Sequence, residues 1–292
     1  MTEFKDKTLL VTGAAGQFGR LAVAELLARG ATRIVAGTRD PAQLADFAAQ
    51  GVEVRRLDFD DAASLATGFA GVDRALIIST VAHNRREQQA AAVAAAKAAG
   101  VTYLAYTSAP HARPNADAGG IADHYWTEQA IAASGLDFTL LRNHIYADMT
   151  IVGAASALSS GQLFDATNGS GRNYVTRADT ARTAAGALLS ASGKDIVDVT
   201  GPAPVTQAEV AALYTKLTGK PVARIGLSGA ELQAGLEAAG LPPFYAALLV
   251  AFDLDAAAGY HAITTDVVER YSGRKPQALA DFLAENKVAL GA

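Results

Sequence analysis

The stretch Lys7-Thr8-Leu9-Leu10-Val11-Thr12-Gly13-Ala14-Ala15-Gly16-Gln17-Phe18-Gly19 decides the fold. A short apolar strand over 8–12 runs into a turn with glycine at every third position, and a helix over 20–29 follows without a break. Each glycine has its own task in such a turn. Gly13 lets the chain leave the strand sharply, Gly16 lets backbone approach a pyrophosphate with no Cβ in the way, and Gly19 packs the helix against the sheet. The helix N-terminus then offers free N–H groups and its positive dipole end to the anion. Strand, turn and helix in this order predict a dinucleotide cradle made by Thr12, Gly13, Ala15, Gly16, Gln17 and Phe18. The spacing Gly-x-x-Gly-x-x-Gly is one residue longer in its first gap than Gly-x-Gly-x-x-Gly, so it is the strand–turn–helix context that carries the reading.

Outward from this unit the same alternation continues to about residue 145. Strands are expected over 8–12, 33–37, 53–57, 74–78, 103–107 and 138–142, with helices over 20–29, 41–50, 62–69, 86–99 and 121–134 between them. Gly30, Gly51, Gly100 and Gly135 close four of these helices, as glycine does at C-caps. The predicted fold class is α/β, a Rossmann-type doubly wound parallel sheet with a smaller, mostly helical C-terminal substrate region. After Tyr146 the rhythm changes to a helix over 154–160, a loop over 161–171, a helix over 177–190 and a strand over 196–200. Helices over 207–218, 230–239, 244–253, 265–271 and 277–286 complete the chain. The expected division is a dinucleotide-binding domain over 1–150, with 172–201 returning to it, and a substrate-binding region over 151–171 and 202–292.

Half of the 292 residues are apolar, enough for a large core, and the net charge is −4 with no basic cluster. A nucleic-acid partner is therefore not expected. Cysteine is absent, which removes disulfides and thiolate chemistry together, and the histidines show no metal-ligand spacing, so no metal is expected. No apolar run reaches the ~18 residues of a membrane span, and the polar start lacks a signal-peptide core. The expected setting is the cytoplasm.

The end of the second strand selects between the two nicotinamide dinucleotides. An acidic residue there accepts hydrogen bonds from the ribose 2′-hydroxyl, whereas an arginine attracts a 2′-phosphate. Here Arg33-Ile34-Val35-Ala36-Gly37 ends in Thr38-Arg39, and Arg39 offers a charge-assisted fork to a phosphate. NADP(H) is the cofactor expected. Two further strand ends belong to the same crevice, with Asp58 and Phe59 expected near the adenine and Ile78, Ser79 and Thr80 facing the ribose.

Thr12-Gly13-Ala14-Ala15-Gly16-Gln17-Phe18-Gly19, Arg39-Asp40-Pro41, Ala98-Ala99-Gly100-Val101, Ala105-Tyr106-Thr107-Ser108 and Phe138-Thr139-Leu140-Leu141-Arg142-Asn143 together resemble the NmrA-like atypical short-chain dehydrogenase/reductases. Within these the chain is most similar to the bacterial NADPH:quinone oxidoreductase 2 and triphenylmethane reductase group. The likeness runs on through Val175-Thr176-Arg177-Ala178-Asp179 and Leu217-Thr218-Gly219-Lys220. It implies an NADPH-binding half, a small helical half and an active site between them. On matching positions it implies that Ser79, Thr107 and Ser108 line the ribose and nicotinamide. It also implies that a turn through Asn143, His144 and Tyr146 closes over the nicotinamide.

Ordinary short-chain dehydrogenases use a tyrosine with a lysine four residues later, whose charge makes the phenol a useful acid. The corresponding helix here reads His124-Tyr125-Trp126-Thr127-Glu128-Gln129, so Gln129 takes the lysine's place without its charge. Tyr125 and His124 are the candidate catalytic residues; His124 and Glu128, four apart, could form a hydrogen-bonded pair, or stand as a structural histidine beside a solvated glutamate. Reduction of an isolated ketone needs a proton in the transition state, whereas hydride addition to a quinone or a cationic dye leaves a stabilised product. The missing lysine therefore favours an aromatic or conjugated, electron-poor small molecule, held against the reductant largely by proximity. Tyr146, Phe164 and Phe244 are candidate stacking surfaces for it. A reductase of a specialised carbonyl or enone and a non-enzymatic dinucleotide-binding redox sensor are the alternatives. Monomer and homodimer both stay open, because the alanine-rich helix over 86–99 suits a subunit contact and its own sheet equally.

Overall fold

A computed structural model describes residues 3–114 and 119–291. In chain order it lays down β1 (Thr8–Val11), β2 (Arg33–Thr38), β3 (Glu53–Arg56), β4 (Arg74–Ile77), β5 (Tyr103–Ser108) and β6 (Asp137–Asn143). An excursion through β7 (Ile145–Tyr146), β8 (Gln162–Asp165) and β9 (Arg172–Val175) precedes β10 (Lys194–Val199), which rejoins the main sheet. Its seven strands are all parallel, in the order β10-β6-β5-β4-β1-β2-β3. Strand order reverses between β4 and β1, and β1 is the strand that ends in the glycine turn. The C-terminal edge at such a switch point is where open α/β sheets bind ligands.

Helices cover both faces, which is why β1, β4 and β5 read as unbroken buried runs rather than alternating ones. One face packs against α1 (Gln17–Ala28) and, later in the chain, α7 (Arg177–Ser190), through Ala22, Val23, Leu26, Ala181, Ala184 and Leu188. The expected helix over 41–50 is a 3-10 turn, Pro41–Leu44, followed by the short α2 (Ala45–Ala48). The other face carries α3 (Ala62–Phe69), α4 (Arg85–Ala98) and α5 (Gly119–Ser134), with Leu65, Phe69, Val93, Ala96 and Ile131 in its core.

Three features of the second half depart from the sequence reading. The expected loop over 161–171 contains β8, which begins just after Gly161 (φ +71°) ends α6 (Asp148–Ser160). β8 pairs parallel with β12 (Ala223–Gly226), and four residues give too little alternation to stand out beside the Asn168–Gly171 polar cluster. The expected turn over 143–146 is instead the two-residue β7, paired with β9, whose other edge holds β11 (Pro204–Val205).

The boundary at 202 is also crossed again. After α8 (Gln207–Thr218), α9 (Gly229–Ala238) and α10 (Pro243–Ala257), α11 (Val267–Ser272) buries Val267 and Val268 in the main core beside α7. Gly186 permits this, since a Cβ there would lie 2.0 Å from the Tyr271 carbonyl oxygen. α12 (Leu279–Glu285) then closes a separate small core with Tyr174, Val210 and Tyr214.

Candidate active site

The glycine turn shows which of its glycines the fold itself requires. Gly13 has φ +58°, a left-handed value that glycine adopts without cost. At Gly19 a Cβ would stand 2.3 Å from the Gly13 carbonyl oxygen and 2.6 Å from Ala14 Cα, so any side chain would push α1 off the turn. At Gly16 the nearest atom would be 3.3 Å away, a milder constraint, and the residue faces outward. Gly16 is the N-cap of α1 and contributes no side chain to it, and the first turn holds no acidic residue. The first N–H groups of α1 therefore take no side-chain acceptor, as an anion at this end would need. Ala15 and Gln17 border the turn, while Phe18 turns its ring into the core and has only backbone to offer. The residues present fit a dinucleotide pyrophosphate.

At the end of β2, Arg39 is exposed. The neighbouring carboxylate of Asp40 is committed to its own helix start, where it accepts from the Ala42 N–H at 3.1 Å and from Gln43 Nε2 at 3.2 Å. Asp40 thus spends one acceptor site of each oxygen on its own turn, while Arg39 stands exposed beside it at this strand end.

The other strand ends are laced together by side chains. Thr12 Oγ1, fully buried, accepts from the Ile78 N–H at 3.0 Å and so fastens β1 to the end of β4. Thr107 Oγ1 accepts from the Ser79 N–H at 2.8 Å and donates to Ser79 Oγ at 3.1 Å, joining β4 to β5. Asp58 is half-buried and accepts from the Asp60 N–H at 3.2 Å, and Phe59 packs against the core of the second face. Asp60 lies outside the sequence expectation as a site residue, yet it is the hub of this loop. Its carboxylate accepts from Asn84 Nδ2 at 2.8 Å and from Gln88 Nε2 at 2.7 Å, and Gln88 Oε1 accepts from Thr80 at 3.0 Å.

The pairing of His124 with Glu128 that helix spacing allows does not form, and Glu128 is not solvated either. Glu128 is buried and accepts two bonds from Arg142, at 2.9 and 2.7 Å, and one from Ser108 Oγ at 2.7 Å. Arg142 sits on β6, the strand that follows α5, so helix spacing gives no sign of it. His124 Nδ1 lies 2.8 Å from the Tyr106 hydroxyl, which itself donates to Gln89 Oε1 at 3.1 Å. Burial, and then the nearby Arg85 charge, hold the His124 imidazole well below its ordinary range, so it stays neutral. Tyr125 is half-buried, with its ring edge-on to Trp126 at 5.1 Å.

On the β6 side, Asn143 Nδ2 donates to the Tyr146 hydroxyl at 3.2 Å, and the Arg177 guanidinium lies 5.3 Å from the centre of the Tyr146 ring. His144 is buried with Nε2 3.0 Å from Asp198 Oδ1. Phe164 on β8 and Phe244 at the start of α10 are both exposed. Two groupings escape sequence reading altogether. His111, at φ +51°, stacks on Tyr260 at 3.6 Å, and Arg113 makes a two-armed bond to Asp255 on α10 at 3.0 and 2.7 Å. Both join segments about 140 residues apart, and only folding brings them together. Among the described residues no acidic or histidine cluster could hold a metal ion, and no helix is long and apolar enough to cross a membrane.

A family model described as NAD(P)H-binding matches residues 13–191. Quinone oxidoreductase 2 of Escherichia coli strain K12 is 35% identical over 281 residues, covering 94% of this chain and 97% of that protein. The crystal structure of the NADPH-dependent quinone oxidoreductase from E. coli, complexed with NADPH, superposes with a TM-score of 0.90 at 33% identity, over 98% of this chain and all of that one. Triphenylmethane reductase from Citrobacter sp., complexed with NADP(H), gives 0.87 at 30% identity, over 96% and 100%.

Proposed function

This chain belongs to the NAD(P)H-binding family, and from that premise we propose that it is an NADPH-dependent oxidoreductase acting on quinone-like or other conjugated, electron-poor acceptors. The observation that carries this reading is an uncapped glycine turn at the start of α1 together with an α5 in which Gln129, and no cation, stands four residues after Tyr125.

When bound, reduced NADP supplies the hydride. The chain's part is to hold it: the α1 N-terminus and the Gly13–Phe18 turn take the pyrophosphate, and Arg39 takes the 2′-phosphate. The ends of β4, β5 and β6, with Ile78, Ser79, Thr80, Thr107, Ser108, Asn143 and His144, line the ribose and nicotinamide, and Asp58 and Phe59 border the adenine. Glu128 and Arg142 keep the β5 and β6 ends in fixed register beneath that surface. Tyr146, Phe164 and Phe244 are the flat surfaces offered to an acceptor. His124 is spent in its chain with Tyr106 and Gln89, and the reading places no proton transfer on it.

Purified protein with NADPH is expected to reduce small para-quinones much faster than simple ketones, followed by loss of NADPH absorbance. Faster turnover of the ketones overturns the acceptor class. Tight NADPH binding without turnover of any acceptor makes the protein a redox sensor instead.

A further inference from the structure

Asp58, Asp60 and Asp61 stand close together in the loop after β3, and the carboxylate of Asp60 is the one that works away from its own segment. Asp58 accepts from the Asp60 N–H at 3.2 Å. Asp61 is the N-cap of α3 and accepts from the Ala63 and Ser64 N–H groups at 3.0 and 3.1 Å. Asp60 reaches across to the next loop, where its two oxygens accept from Asn84 Nδ2 at 2.8 Å and from Gln88 Nε2 at 2.7 Å. Asn84 is the N-cap of α4, yet its side chain makes no capping bond to that helix. An asparagine at this position ordinarily accepts from the first free N–H groups of its helix. Here it is turned to Asp60 instead.

The order of donors and acceptors along this chain of groups has one solution. An ionised carboxylate accepts and cannot donate, so the amide nitrogen of Gln88 must face Asp60. Gln88 is buried, and its Oε1 is thereby turned to the Thr80 hydroxyl, 3.0 Å away. That oxygen cannot donate either, so Thr80 Oγ1 commits its one hydrogen to Gln88. Thr80 is left with lone pairs alone. It can accept from a sugar hydroxyl, and it has no hydrogen to give to a phosphate oxygen. Thr80 lies just past the end of β4, in the segment that borders the glycine turn. Thr12 Oγ1 holds the Ile78 N–H at 3.0 Å, and a Cβ on Gly13 would lie 3.8 Å from that of Ile78.

We propose that Asp60, acting through Gln88, is the positioning residue that fixes Thr80 as the acceptor for a ribose hydroxyl of NADP(H). The inference rests on the placement of the ribose at the end of β4 given above. Without Asp60 the Gln88 amide loses the partner that distinguishes its two ends. Turned round, it presents Nε2 to Thr80, and the Thr80 hydrogen is released toward the ligand. Two hydrogens then meet where the ribose hydroxyl has to donate.

The test is a double-mutant cycle on the Kd for NADPH, measured by fluorescence for the wild type, Thr80→Val, Asp60→Ala and the double variant. Thr80→Val is expected to weaken binding about tenfold and Asp60→Ala about fivefold, the range of one hydrogen bond. The double variant is expected to bind no more weakly than Thr80→Val alone, because both changes break the same chain. A carboxylate that only stabilised its loop would multiply the two effects. Asp60→Asn can still turn an oxygen to Gln88 Nε2, so it is expected to restore affinity to within about twofold of the wild type. Multiplied effects, a wild-type Kd in Asp60→Ala, or an Asp60→Asn as weak as Asp60→Ala each overturn the proposal while Thr80→Val still binds weakly. A wild-type Kd in Thr80→Val overturns the ribose placement itself, so the two failures are distinct.

Discussion

The proposed preference for NADPH rests on a single side chain, Arg39. Asp40 is fastened to its own 3-10 turn, so the charge presented at the end of β2 is positive. Arg39→Glu places a carboxylate where a 2′-phosphate is expected. The KM for NADPH is predicted to rise at least tenfold, with a much smaller change for NADH, measured by steady-state kinetics with one acceptor. An equal rise for both would remove Arg39 from the site. The residue scale is also where the sequence is most open to reading: Gly13 and Gly19 act through backbone freedom and lack of bulk, which belong to the residue type wherever it stands.

Elements meet through pairs that spacing does not disclose. Glu128 lies on α5 and Arg142 on β6, and their two-armed bond, with Ser108 as third partner, joins helix to strand ends. The side chain of Glu128 is 2% exposed and that of Arg142 23%. Removing one partner of such a pair leaves the other charge unmet, so Glu128→Ala is predicted to cost about 3 kcal/mol, read from the urea midpoint. Glu128→Gln keeps the Ser108 bond and should cost less. Because Ser108 loses its acceptor in the alanine variant, NADPH affinity should weaken too. The i, i+4 rule pointed to His124 as the partner of Glu128; it compares neighbours on one helix and is blind to a guanidinium from the next strand.

For the whole molecule, buried imidazoles set the acid limit of stability. In the unfolded chain His261 titrates near 6.5, but in the fold it is held to about 4. Its folded pKa is depressed, so below pH 6.5 the unfolded state binds the extra proton first. The stability it contributes is full above that pH and is lost as pH falls to about 4, roughly 3 kcal/mol in all. His124 shifts in the same direction. Tm is therefore expected to drop between pH 6.5 and 4, and to drop less steeply in His261→Phe. Equal slopes would show that His261 does not set this limit.

The sequence by itself determined the doubly wound half of the molecule. Strand, turn and helix signals there are local, and a parallel sheet buried on both faces writes itself as continuous apolar runs between helices. The glycine turn was legible for the same reason, since all three of its glycines lie within seven residues. The tertiary structure alone decided how the second half is used. It paired β8 with β12, sent Val267 and Val268 back into the main core and set His261 beside His144. Contacts between residues about a hundred positions apart leave no period in the sequence, and the side chains that make them are ordinary until the chain has folded.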